Sequence, residues 1–320
     1  MLNRRAALIG FPLILTEPAL AQGAGSFPSF VAGVYAEAQN AGIRRDVLDA
    51  AFAGVTPNQK VIEKDRKQAE FTMTWARYRA LVISDKRIAD GRAAIAANRD
   101  LFARVEAHYH VSSSVIAGIW GLESSFGVDT GTYKVIEALA TLAWEGRRAS
   151  FFRSELMAAL KILNNGDITP ARMTGSYAGA MGQPQFMPTS YLRLAVDFDG
   201  DGRRDIWGSK ADVLGSIANY LARSGWRGGE TWGQPVTAPA GLAAPGRDIR
   251  RPLNEWARQG VTPKNGKWAA GGDMPAALLA PDGAGTETFL VFNNFTAIRR
   301  YNPSDFYAIA VGMIGDWVLN

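Results

Sequence analysis

The 320-residue chain contains no cysteine and only two histidines. Without cysteine there can be no disulfide, thiolate metal site, cysteine nucleophile or lipid attached to an N-terminal cysteine. The histidines support no zinc hydrolase chemistry: His108 and His110 lie two residues apart, cannot share a helix face and sit in no H-E-x-x-H pattern. A serine-hydrolase elbow is missing too, because Ser176 comes one place early in the run Gly175-Ser176-Tyr177-Ala178-Gly179. The stretch from Gly260 to Gly266-Lys267 has neither the spacing nor the following Ser or Thr of a phosphate loop. Beyond residue 21 no apolar run approaches the length that crosses a bilayer, and there are no repeats, heptads or low-complexity tracts. Neither sign of charge dominates: 35 Lys and Arg stand against 30 Asp and Glu. That mild basic excess suits a solvated face or an anionic polymer and forms no nucleic-acid stripe.

What is present is enough for a full core, with 47% hydrophobic and 20% charged residues in one elaborated domain or two closely packed lobes. Residues 1–21 stand apart. Arg4 and Arg5 precede an apolar run over 6–15 and then Ala19-Leu20-Ala21, the order of a cleavable secretory signal, and the Arg pair raises a twin-arginine route. Without those residues 33 basic and 29 acidic side chains remain, a net charge of +4.

From about 27 to 110 the pattern is helical. Phe30, Val34 and Ala38 recur at period four, Val47, Leu48, Ala51 and Phe52 form a second face, and Phe71, Trp75, Tyr78 and Val82 begin a longer aromatic series. Residues 115–127, Val-Ile-Ala-Gly-Ile-Trp-Gly-Leu-Glu-Ser-Ser-Phe-Gly, read as a buried helix that Ser112 to Ser114 can cap, with one carboxylate, Glu123, in its last turn. The negative end of a helix and flanking aromatics both disfavour ionisation there. Taken alone, the stretch leaves two readings open: a protonated acid, or a Glu whose stem packs while its head reaches solvent or an Arg. A further helix over 138–163 precedes Gly175 to Pro188, whose glycines and prolines mark an ordered, shaped loop.

Asp197-Phe198-Asp199-Gly200-Asp201-Gly202-Arg203-Arg204-Asp205 places carboxylates at positions one, three, five and nine, with Gly202 at six, as in an EF-hand calcium loop. Position twelve is Gly208, so the closing acid would come from Asp212, further on than in the standard loop. A helix over 212–223 follows, then a Gly- and Pro-rich region over about 226–288 suggesting small strands. The chain continues with a strand at 289–292 and a last helix from about Ser304 carrying Phe306, Ile309, Met313 and Trp317.

Carboxylate chemistry is what survives these exclusions, and a Glu in an apolar pocket is the usual general acid of glycoside cleavage. The 115–127 run, Ala138-Leu139-Ala140-Thr141-Leu142, Gly179-Ala180-Met181-Gly182 with Gln185-Phe186-Met187-Pro188, and Ala218-Asn219-Tyr220 occur in family order. On these the chain resembles the membrane-bound lytic murein transglycosylase B family, from about residue 27 to the C-terminus. The resemblance implies an α+β, mainly helical fold: a helical N-terminal lobe over about 27–110, a lysozyme-like core over 111–225 plus 289–320, and a small β-containing subdomain over 226–288. It places the catalytic acid on Glu123, in the motif E-[ST]-x-[FW]-G, and glycan-lining roles on Tyr78, Ser176, Gln185, Tyr220, Tyr301 and Asn302. It also implies a loop whose calcium ligands map onto Asp197, Asp199, Asp201, the Arg203 carbonyl and Asp212, the last being displaced by one residue.

The implied reaction cleaves the β-1,4 bond between N-acetylmuramic acid and N-acetylglucosamine and forms a 1,6-anhydromuramyl end. Glu123 serves as acid and then as base, and no cofactor is needed for the chemistry beyond a structural Ca2+ in the loop. The expected partners are peptidoglycan glycan strands, with proteins of the cell-wall synthesis machinery left open, for a monomer exported to the periplasm and not lipid-anchored. Two rivals stand beside this reading. One is a hydrolytic muramidase with a second acid such as Asp129 or Glu137; the other is a non-catalytic, calcium-stabilised peptidoglycan-binding protein.

Overall fold

The computed structural model describes residues 25–68 and 73–319; the signal segment and Phe71 lie outside the described residues. The helices and strands, in chain order, begin with α1 (Phe27–Asn40), α2 (Arg45–Phe52), α3 (Gln59–Gln68), α4 (Trp75–Val82), α5 (Asp85–Ala96), α6 (Arg99–Tyr109) and α7 (Ser113–Ser124). They continue with β1 (Tyr133–Lys134), α8 (Val135–Glu145), α9 (Ala149–Asn165), β2 (Thr174–Gly175), α10 (Pro188–Leu194), α11 (Lys210–Arg223) and β3 (Gly233–Thr237). The last are β4 (Arg251–Pro252), α12 (Leu253–Arg258), β5 (Thr262–Pro263), β6 (Pro275–Leu279), β7 (Thr288–Val291), α13 (Asn293–Tyr301) and α14 (Asp305–Leu319). The fold is therefore α+β and mainly helical, as the sequence predicts. Among the described residues no helix is long and apolar enough to cross a membrane.

The chain forms two compact units. One contains Met73–Phe126 and Ala218–Asn320; the other takes its described residues from 25–68 and Gly127–Ile217.

The first unit is built on α7 and α14. Helix α7 buries Val115, Ile116, Ile119 and Trp120 on all sides, so it needs packing partners around its whole circumference. Helix α14 comes so close that a Cβ at Gly118 would stand 2.2 Å from the Val311 carbonyl oxygen, and one at Gly315 2.3 Å from that of Ser114. These pairs run antiparallel and fix the register in which Glu123 meets Tyr307. The sequence assigns α14 one apolar face, Phe306, Ile309, Met313 and Trp317. The structure instead buries it nearly all round, from Tyr307 to Gly315, and leaves Trp317 38% exposed.

An antiparallel five-stranded sheet, order β4-β6-β7-β3-β5, belongs to the same unit. Val236, Leu278, Leu290 and Phe292 pack with Trp256 over it. Strand β7 is the middle strand, with Leu290 opposite both Gln234 and Leu278, so a sequence boundary drawn at 288 falls inside this sheet. All five strands are five residues or shorter, and β4 and β5 are two residues long, so pairing in the sheet rather than local propensity defines them.

In the second unit α8 packs on α9, and β1 pairs with β2 through Tyr133↔Gly175 and Lys134↔Thr174. Gly175 is obligatory there, because a Cβ would stand 2.0 Å from the Ala180 carbonyl oxygen.

The space around the backbone predicts opposite outcomes for two helical glycines, Gly118 in the α7–α14 contact and Gly33 on the open side of α1. Gly118→Ala should destabilise the protein by ~1–3 kcal/mol through overpacking, since the atom it meets is backbone. Gly33→Ala, inside α1 with nothing within 4 Å of its Cβ, should be neutral or stabilising, by up to roughly 1 kcal/mol. Urea denaturation of the two variants measures both.

Candidate functional site

Glu123 lies in the last turn of α7, and the sequence on either side explains its setting. The helix start differs from expectation: Ser112 makes no side-chain cap, and the Glu106 carboxylate of α6 instead accepts the Ser113 N–H at 2.8 Å. At the other end Ser125 and Phe126 both take positive φ, 49° and 60°. Their N–H groups close on the Gly121 and Trp120 carbonyls at 3.1 and 3.2 Å, a Schellman-type end. A bulky residue in that conformation is strained and persists only where packing holds it. Here the Phe126 ring fills the space a side chain would need at Gly121 or Gly91, with a Cβ 2.5 or 2.6 Å from the ring. The helix is thus forced to stop one residue after Glu123.

Around the carboxyl stand phenols. The Tyr307 hydroxyl donates to Glu123 Oε1 at 2.7 Å. Tyr307 is oriented by its place in the first turn of α14, where its N–H donates to Ser304 Oγ at 3.3 Å. The Tyr301 ring stacks on Tyr307 at 6.4 Å, and Tyr220 packs on Tyr301 at 4.5 Å while its hydroxyl donates to the Arg300 carbonyl at 2.5 Å. Tyr78 is 3% exposed and packs on Phe306 and Trp75. Asn302 is buried, and its Oδ1 accepts the Ser304 N–H at 3.2 Å, so it helps shape the turn into α14.

Burial pushes the Glu123 carboxyl from its ordinary 4.5 up to about 7, while the Tyr307 hydrogen bond pulls in the opposite direction. The same burial, reinforced by the Glu123 charge, drives Tyr301 and Tyr307 well above the ordinary tyrosine range and raises Tyr78. These phenols therefore remain protonated donors. Because Tyr307 donates to Oε1, the proton of a neutral Glu123 belongs on Oε2. The carboxyl is then an acid with one oxygen oriented and the other able to give its proton away.

Of the predicted residues, Glu123, Tyr78, Tyr220, Tyr301 and Asn302 all lie in this first unit. Tyr307 was not anticipated, since one hydroxyl in an otherwise apolar helix reads as core; its spacing of six from Tyr301 is the only signal the sequence offers.

Ser176 and Gln185 lie in the second unit. Ser176 Oγ accepts the Ala180 N–H at 3.1 Å. Gln185, held at φ 52°, donates its amide to the Thr130 and Gly182 carbonyls at 3.0 and 2.8 Å, which leaves Oε1 to accept. Of the rival second acids, Glu137 already accepts from Asn58 Nδ2 at 2.9 Å.

The acidic loop also belongs to that unit. Carboxylate oxygens of Asp197, Asp199 and Asp212 lie within 4.8 Å of one another. Asp212, at the start of α11, closes the loop by accepting the Phe198 and Asp205 N–H groups at 2.8 and 2.7 Å. Asp201 is not in the cluster, and its Oδ1 accepts the Arg203 N–H at 2.8 Å. Three carboxylates converging in a loop turned by Gly200 and Gly202, at φ 78° and 90°, form an all-oxygen donor set that fits a hard divalent cation.

Residues 26–316 match the family described as Transglycosylase SLT domain. Membrane-bound lytic murein transglycosylase B of Escherichia coli strain K12 is 35% identical over 246 residues, which cover 76% of this chain and 67% of that protein. Among solved structures, SltB3 from Pseudomonas aeruginosa in complex with NAG-anhNAM-pentapeptide superposes with a TM-score of 0.88 at 44% identity, covering 92% of this chain and 79% of that one. Slt35 from Escherichia coli in complex with calcium gives a TM-score of 0.77 at 28% identity over 100% of this chain and 98% of that one.

The raised pKa of Glu123 has a thermodynamic consequence. Its folded-state value, about 7, lies above the ordinary 4.5, so Glu123's contribution to native stability is fully present below about pH 4.5 and is lost as pH rises through about 7. Glu123→Gln should therefore raise stability at pH 8 by about 2 kcal/mol, allowing for the partial exposure of the side chain, and the gain should vanish toward pH 4.5. Thermal melts of both proteins across this range provide the check.

Proposed function

The chain belongs to the transglycosylase SLT domain family of peptidoglycan-cleaving enzymes, and on that footing we propose that Glu123 is its single catalytic acid and base. The observation that carries this reading is a carboxyl raised to about 7 by burial and oriented through one oxygen by Tyr307. Protonated Glu123 gives its Oε2 proton to the glycosidic oxygen as the bond to C1 of the muramyl residue breaks. The carboxylate left behind then takes the proton of the muramyl C6 hydroxyl as that oxygen bonds to C1, closing the 1,6-anhydro ring. Atoms and charge balance with no water consumed, and no cofactor is required. An attacking group within the substrate enjoys effective molarities on the order of 10⁵ M or more, which explains how one carboxyl suffices.

Tyr307 is assigned a positioning role that stabilises the carboxylate between the two steps. Tyr78, Tyr220, Tyr301 and Asn302 are assigned to the sugar rings near Glu123, and Ser176 and the free Oε1 of Gln185 to sugar hydroxyl or amide groups. For the acidic loop we infer calcium, held by Asp197, Asp199 and Asp212 with the Arg203 carbonyl; Asp201 would contribute after releasing the Arg203 N–H. The ion would tie the loop to α11 and takes no part in bond cleavage. Peptidoglycan strands of the periplasm are the proposed substrate, reached by export through residues 1–21.

Mass spectrometry of digested sacculi should find anhydromuramyl termini; ordinary reducing ends would mean a hydrolytic muramidase. Glu123→Gln should lower turnover by roughly 10³-fold or more while glycan binding persists. Unchanged lysis by that variant would leave the non-catalytic binding protein as the better description. In the parent enzyme, kcat/KM should fall as pH rises through about 7, where Glu123 loses the proton it must donate.

Calcium should raise the melting temperature and a chelator should lower it, with Asp212→Asn abolishing the difference. An identical melt with and without chelator would remove the ion from the account.

A further inference from the structure

A cleft of about 920 Å³ opens in the first unit, and Glu123 does not line it. It lies between α4, the start of α5, the end of α14 and the turn before β7, and is lined by Trp75, Arg79, Asp85, Asp282, Glu287 and Trp317. Its size is at the upper end of ligand clefts, roughly 300–1,000 Å³. The turn is fixed to α4 by a set of hydrogen bonds. Asp282 accepts the Trp75 and Ala76 N–H groups at 2.6 and 2.9 Å, and Glu287 accepts the Trp75 indole N–H at 2.7 Å and Arg79 Nη1 at 3.3 Å. These carboxylates are held in place, and a carboxylate oxygen can accept more than one hydrogen bond. Among the described residues Trp317 is one of five exposed large hydrophobic side chains, at 38%, and the Arg79 guanidinium lies over one face of its ring, 5.8 Å from the centroid.

The wall thus combines an indole, fixed carboxylate acceptors and cationic donors. Both signs of charge are present, Arg79 and Lys264 against Asp85, Asp282 and Glu287, which suits neither a polyanion nor an anionic lipid surface. A neutral chain rich in hydroxyl and amide groups, with an apolar ring face to lay on the indole, satisfies each element of the wall.

We propose that this cleft is a second glycan-binding site, which holds an N-acetylated β-1,4-linked strand apart from the residue that cuts it. The inference rests on the peptidoglycan substrate assigned above. Its effect is one of effective concentration: a polymer bound at a second point returns its bonds to Glu123 without full dissociation, while a short oligosaccharide gains nothing.

Trp317→Ala and Lys264→Ala, each made in the parent enzyme and in a Glu123→Gln background, test it. In cosedimentation with purified sacculi, Trp317→Ala should weaken binding by about fivefold and Lys264→Ala by about twofold, with KM for sacculi rising in parallel. Melting temperature and kcat/KM on a soluble peptidoglycan tetrasaccharide should stay unchanged in both. Equal sacculus binding by parent and both variants overturns the proposal, as does a loss on the tetrasaccharide as large as the loss on sacculi. If the parent forms no product from either substrate, the catalytic reading fails, and cosedimentation of the Glu123→Gln series still decides the cleft by itself.

Discussion

Everything specific about Glu123 depends on how closely α7 and α14 approach each other. Gly118 and Gly315 bring backbone against backbone, and the antiparallel register that follows sets Tyr307 opposite the carboxyl. Larger residues at either glycine would separate the helices, and the 2.7 Å hydrogen bond would go with them. The site is therefore specified by side chains that are absent as much as by those present. Trp120 and Ile119 bury the rest of α7, so the helix has no freedom to rotate and choose another partner for its acid.

The second constraint is dielectric. Tyr78, Tyr301 and Tyr307 surround the carboxyl with rings whose hydroxyls keep their protons. Such surroundings supply hydrogen bonds without supplying countercharge. An Arg in the place of Tyr307 would stabilise the carboxylate by direct attraction and pull its pKa down, and the group would no longer hold a proton near neutral pH. Tyrosine gives orientation at little electrostatic cost.

Much of this is legible in the sequence, for reasons tied to particular residues. Glu123 stands out because a carboxylate in an apolar helix must be explained, and Asp197 to Asp205 because alternating carboxylates with Gly202 have few structural uses. The ambiguity over Glu123 lifts only with motifs elsewhere in the chain. Tyr307 escapes because its meaning lies in a register between helices more than 180 residues apart, which periodicity along one helix does not encode. Of the sheet, only β7 is legible as a strand, at 289–292, and the rest shows as a change of texture: β4 and β5 are two residues long, and β7 takes the central place through pairing that the local sequence does not encode. Asp201 is assigned to the metal by spacing, yet its side chain already accepts the backbone N–H of Arg203. Spacing gives the positions of candidate ligands and says nothing of competing local hydrogen bonds.

The carboxyl held neutral by burial also sets terms for any molecule that would occupy the site in place of substrate. A ligand with a positive charge aimed at Glu123 pairs with the carboxylate, so at pH below about 7 it must first displace the resident proton. Its affinity is thus linked to proton release, weakening in acid and levelling off once the group is ionised. An uncharged ligand with a hydrogen-bond acceptor meets the reverse situation, because it binds the protonated form. The acid that waits for its substrate with a proton in place thereby discriminates among visitors by charge, and the direction of that discrimination turns over within the physiological range of pH.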